Sequence, residues 1–138
     1  METFIVLLTG IFGATITFFI NCYLAYGPVR SSSIASLATA LFFYAFPNLF
    51  PDFYTHTVPL VFIGGSFIGM VSYRVMKNVW LVPLSGLVFS FFYINSASFF
   101  SGYGGALGTA ACISIIVVLG FYRILRLFKL RYKKQRSL

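Results

Sequence analysis

The sequence predicts an all-α integral membrane protein with about five transmembrane helices. Three observations predict it. The chain has 138 residues, of which 59% are hydrophobic, 20% aromatic and only 9% charged. A soluble domain keeps roughly a quarter of its residues charged. Apolar sequence runs almost from end to end, with a mean hydropathy of +0.93, which leaves no room for a separate soluble domain. Finally, all ten Lys and Arg fall into three short segments that five spans would place on one side.

The spans follow in order. The first runs from Phe4 to about Tyr26 and closes at Gly27-Pro28. The second runs from about Ser33 to Phe46 and fades at Pro47. The third covers Val58 to Val75, the fourth Val79 to Ile94, and the fifth Tyr103 to Leu125. Crossing the hydrocarbon takes about 20 helical residues, so spans two and four are short, and flanking aromatics would extend them into the interface. A four-span chain with one re-entrant segment is the alternative. Residues 1–125 read as one polytopic domain and 126–138 as a basic cytoplasmic tail. The opening "METFIVLL" lacks a basic leader region, so span one is expected to be a permanent helix and not a cleaved signal.

Arg30 lies between spans one and two, Arg74 and Lys77 between three and four, and the remaining seven basic residues in "RILRLFKLRYKKQRSL". The opposite side receives Glu2, Asp52 and His56. The positive-inside rule then sets the N-terminus outside and the C-terminus in the cytoplasm. The basic tail is expected to touch anionic lipid at the cytoplasmic face. No folded basic surface for nucleic acid is evident.

Two segments carry glycine at matching places: "FIGGSFIGMVSYRV" and "YGGALGTAACISI". Upstream of each, "SLATALFFYAFPNLF" and "SGLVFSFFYINSASF" align without gaps at a serine, a Phe-Phe-Tyr triplet and a final phenylalanine. The pairs of spans two-three and four-five therefore read as a parallel duplication, with "PDFYTHTVP" as an outer loop present only in the first copy. Gly65-x-x-x-Gly69 and Gly104-x-x-x-Gly108, with Gly64 and Gly105 beside them, give smooth faces that let helices approach in lipid. The sharper alternative is that the Gly-Gly pairs break their helices and expose backbone to a site.

In span one, Thr9, Gly13, Thr17 and Asn21 recur every four residues and share one stripe. Interhelical packing is the usual role of such residues. The functional alternative is a polar lining for a hydrated path, continued by Arg30 and Arg74.

The chemistry that is missing constrains function equally. No Asp or Glu falls inside a span, which argues against a carboxylate-coupled pump. Two cysteines at different depths suggest no disulfide. One histidine and no Cys/His cluster suggest no metal or other cofactor. No nucleophile elbow, phosphate loop or ligand spacing points to an enzyme. The expected function is a homo-oligomeric channel or transporter for a small anion or neutral solute. The alternative is a non-catalytic membrane subunit or scaffold that packs through its glycine faces against a partner protein or lipid.

Overall fold

A computed structural model describes residues 2–46, 51–100 and 104–135, with side chains described outside 96–104 and 133–135. Among these residues there are five helices and no strands: α1 (Glu2–Cys22), α2 (Pro28–Ala45), α3 (Asp52–Gly69), α4 (Leu81–Phe100) and α5 (Gly104–Gln135). Two are long and apolar enough to cross a membrane: α1, with mean hydropathy 2.2, and Gly105–Tyr132 of α5, with mean hydropathy 2.0. A shorter apolar stretch, Leu81–Asn95, lies in α4.

α1 is the central helix and packs most extensively against α3 and α4. Contact positions give the directions. Going up α1, Gly10 meets Gly65, and Ala14 and Thr17 meet Gly69, so α1 and α3 run parallel. Gly10 meets Gly86 while Val6 meets Ser90, so α4 runs antiparallel to α1. α2 returns against α3 through Ser32 and Ser36 on Ser66, and the start of α4 lies beside Leu119 and Tyr122 of α5. The helices thus alternate in direction along the chain. Glu2 and Asp52 begin parallel helices and sit at one end, whereas Arg74, Lys77, Arg123 and Arg126 gather at the other.

Several boundaries differ from the sequence expectation. "PDFYTHTVP" is not an outer loop: it forms the first turns of α3. The amides of Tyr54 and Thr55 bond the Pro51 carbonyl at 2.9 and 3.3 Å, and Asp52 places a negative charge at the helix's positive end. Pro59, the last residue of that expected loop, lies inside α3, a position that sacrifices one backbone hydrogen bond. α3 then stops at Gly69 instead of reaching Val75. There the Ser72 hydroxyl accepts from the Arg74 amide at 3.3 Å, and the Ser72 carbonyl accepts from Val75 and Met76 at 2.9 and 3.1 Å. This local turn competes with helix propagation, and fully buried Met76 pins it to the core. α3 passes through Gly64-Gly65 as unbroken helix, so the first Gly-Gly pair does not break its helix; the second pair opens α5. α2 starts at Pro28 and so takes in Arg30, previously assigned to the connection. Gly27 precedes it at φ 87°, a left-handed conformation suited to glycine. Residues 47–50 and 101–103 of the aligned segments lie outside the described residues.

The interior is small and partly polar. Ser31, Ser66, Ser85, Ser90, Ser114 and Thr17 are fully buried, beside Phe18, Val61, Ile68, Val82 and Phe89. The outer surface is large and apolar: Phe12 is 56% exposed, Leu37 65%, Phe91 60% and Ile116 69%.

Candidate functional site

The stripe on α1 is built against α3. The Thr9 hydroxyl donates to the Ile5 carbonyl at 2.7 Å, one turn back in its own helix. Gly13 lies so close to α3 that a Cβ there would sit 2.7 Å from the Phe62 carbonyl oxygen. Thr17 is fully buried beside Gly69, and its hydroxyl has no hydrogen-bond partner. Leaving a buried hydroxyl unpaired costs about 1–3 kcal/mol. Asn21 donates its side-chain amide to the Gly69 carbonyl at 3.3 Å. Gly69 ends α3, where the last carbonyls have no partner in their own helix. Asn21 thereby caps a neighbouring helix, a role that its position in span one gave no means of reading.

Gly10 is held between two helices. A Cβ on Gly65 would lie 2.7 Å from the Gly10 carbonyl oxygen, and one on Gly86 would lie at the same distance from the same atom. Gly64 faces the Phe89 ring, and Gly69 lies against the Ala14 carbonyl. The second motif stands differently. A Cβ at Gly105 or Gly108 would meet nothing within 4 Å, and neither would one at Gly120. Gly104 is the first residue of α5, and its side of the helix lies outside the described side chains.

A serine cluster was not singled out from the sequence. Ser66 donates to the Ile63 carbonyl at 2.7 Å and lies 2.8 Å from the Ser32 hydroxyl and 3.1 Å from that of Ser36. With its own proton committed, Ser66 accepts from both. The available signal was the i, i+4 spacing of Ser32 and Ser36, which sets both on one face of α2. Ser90 ties α4 to α1 through the Val6 carbonyl at 3.2 Å.

Of the residues expected to line a site, Asn21 and Arg74 come together. With Cys22, Pro28, Ser72 and Tyr73 they line a cavity of about 340 Å³ at the basic end. Gly13 and Thr17 lie deeper, along the α1–α3 contact, Thr9 is buried nearer the start of α1, and Arg30 is exposed on the first turn of α2. Arg74 also lines a second cavity, of about 550 Å³, against α5. No group of three or more His, Cys, Asp or Glu that could hold a metal occurs among the described residues. Cys22 and Cys112 are free thiols. Comparison with protein-family models, curated proteins and solved structures finds no match for this chain.

Proposed function

We propose that the protein is a five-span integral membrane protein. The supporting observation is the outer surface, where large apolar side chains such as Phe12, Leu37, Phe91 and Ile116 stand exposed around an interior that mixes apolar residues with buried serines and close glycine contacts. Soluble monomers rarely leave apolar patches larger than a few hundred Å² facing water. In lipid the same surface is solvated, and close glycine packing supplies the helix contacts. The basic end is the cytoplasmic end, with the N-terminus outside. The duplication reading is retained for the antiparallel pairs α2–α3 and α4–α5. Reporter fusions after Pro51 and after Lys77 should read opposite sides of the membrane. The same side for both would sink the five-span topology.

Within that membrane, we propose a homo-oligomer that passes a small anion or neutral solute. The observation behind this is the polar cavity in which Asn21 and Arg74 meet with no acidic neighbour among the lining residues. A cation beside a polar recess raises the local anion concentration. Because α3 closes over Gly13 and Thr17 and Thr9 is buried, the path is assigned to the surface between protomers, entered at the Asn21–Arg74 recess. Asn21→Leu should lower solute flux in sealed liposomes while the oligomer persists, and Arg74→Gln should reduce the preference for anions over neutral solutes. That same closure of the α1 stripe favours a second reading, a non-catalytic membrane subunit. A broad panel of halides, oxyanions and polar solutes with no flux above empty liposomes would replace the transport reading with it.

A further inference from the structure

The 70–80 segment and the long α5 helix enclose the larger cavity. Its rim carries Arg74 and Lys77 from the segment and Arg123 and Arg126 from α5, and no lining residue is acidic. The Asn78 amide donates to the Tyr122 hydroxyl at 3.1 Å and braces the two walls together. Its apolar lining comes from leucines, among them Leu81, Leu119 and Leu127. The volume, about 550 Å³, lies in the roughly 300–1,000 Å³ range of small-molecule sites.

Four cations around one recess repel each other unless an anion joins them. The nearest charge of opposite sign is not supplied by this chain: Glu2 and Asp52, its only acids, begin α1 and α3 at the far end. A free inorganic anion would satisfy the rim but gain nothing from the leucines. A group with a phosphate at one end and hydrocarbon at the other satisfies both. The depth agrees. α5 has 32 residues, which at 1.5 Å per residue is about 48 Å, against roughly 30 Å of hydrocarbon. Its basic half therefore rises through the headgroup layer, where lipid phosphates lie.

We propose that this cleft binds the phosphate of an anionic phospholipid, with the leucines taking the upper part of an acyl chain. The proposal rests on the membrane reading and specifies where the headgroup sits. Arginine suits the role because its planar fork pairs two phosphate oxygens at once.

The test uses the full chain purified in a neutral detergent. Phosphatidylglycerol and phosphatidylcholine of the same acyl chains are titrated separately, and bound lipid is measured by native mass spectrometry. Phosphatidylglycerol should bind in preference. Arg74→Gln/Arg126→Gln should weaken it by about tenfold or more, from roughly one surface ion contact per arginine. Lys129→Gln/Arg131→Gln removes the same charge from α5 outside this cleft and should weaken it far less. Equal losses in the two double variants would overturn the site in favour of diffuse attraction to the tail. Equal binding of the two lipids would overturn it as well. Displacement of the lipid by millimolar inorganic phosphate would assign the cleft to a free anion instead. Alkaline carbonate extraction of native membranes gives a separate readout: release of the wild-type chain would remove the membrane reading itself, whatever the cleft binds.

Discussion

Gly65→Leu is expected to unfold the bundle. The residue lies in α3 one turn before its end at Gly69, in a turn that is itself buried, with Gly64, Ser66, Ile68 and Gly69 buried around it. The first carbon of any side chain there would come within 2.7 Å of the Gly10 carbonyl oxygen and 3.2 Å of its Cα. Both are backbone atoms of the central helix. Gly86 of α4 approaches the same Gly10 carbonyl, and Gly64 of α3 packs on Phe89 of α4, so three helices converge at this point. α1 can move away from α3 only by giving up its contact with α4 at the same carbonyl. Overpacking a core costs typically about 1–3 kcal/mol when side chains can shift, and here backbone must shift, so the loss should reach at least the top of that range. Thermal unfolding in detergent should rank Gly65→Leu below Gly65→Ala, and Gly65→Ala below Gly108→Ala, since Gly108 has open space around it. A Gly65→Leu protein that melts with the wild type would show that α1 and α3 do not approach through these glycines.

Much of this arrangement was legible in the sequence, and the physical reason is periodicity. The i, i+4 spacing of Gly65 and Gly69 defines a smooth helix face whatever the partner. The one-sided placement of basic residues anticipated the basic end of the bundle. The helix ends were less legible, because they depend on single local bonds. "PDFYTHTVP" contains two prolines and reads as a loop, yet the Pro51 carbonyl accepts the first amides of α3. Nothing in "IGMVSYRV" marks Gly69 as the end until the Ser72 side chain is seen to hold the Arg74 amide.

The site was legible in part for a related reason. A stripe on one helix says that something polar or small faces it, but not what. Thr9, Gly13 and Thr17 share a stripe with Asn21, and Gly13, Thr17 and Asn21 meet α3; only Asn21 both caps the Gly69 carbonyl and borders a cavity. The meeting of Asn21 with Arg74 depends on α3 stopping at Gly69. Had the helix continued to Val75, as the hydropathy suggested, Arg74 would lie more than a turn further along the axis. The two glycine motifs have the same spacing, yet Gly65 and Gly69 lie against the α1 backbone while Gly108 meets nothing within 4 Å, a difference that depends on where α1 packs and leaves no trace in either motif.

Gly108→Leu combined with Gly120→Leu is expected to dissociate the oligomer without unfolding the protomer. The two positions lie on α5 twelve residues apart, and on a helix with 3.6 residues per turn they are offset by about 120°, at two places around the open side of α5 that also carries the exposed Ile113 and Ile116. Cys112, one turn beyond Gly108, is exposed. A Cβ at either glycine meets nothing within 4 Å inside the chain, so leucine there has room and should leave the melting temperature of the protomer close to wild type. In lipid, glycine on an open helix face gives up packing area and gains nothing unless another backbone approaches it. If that other backbone is α5 of a second copy, a leucine at whichever of the two glycines faces it holds the helices apart, and replacing both covers the breadth of the open side. Light scattering in detergent should then show the wild type as an oligomer and the double variant as a monomer. Cys112 offers an independent readout, because thiols on the contact face of two copies come within crosslinking reach: mild oxidation should give a covalent dimer in the wild type, none in Cys112→Ser, and little in the double variant. A double variant that keeps the wild-type mass and crosslinks as efficiently would place the oligomer contact elsewhere, and α5 would then be a helix whose glycines face only lipid.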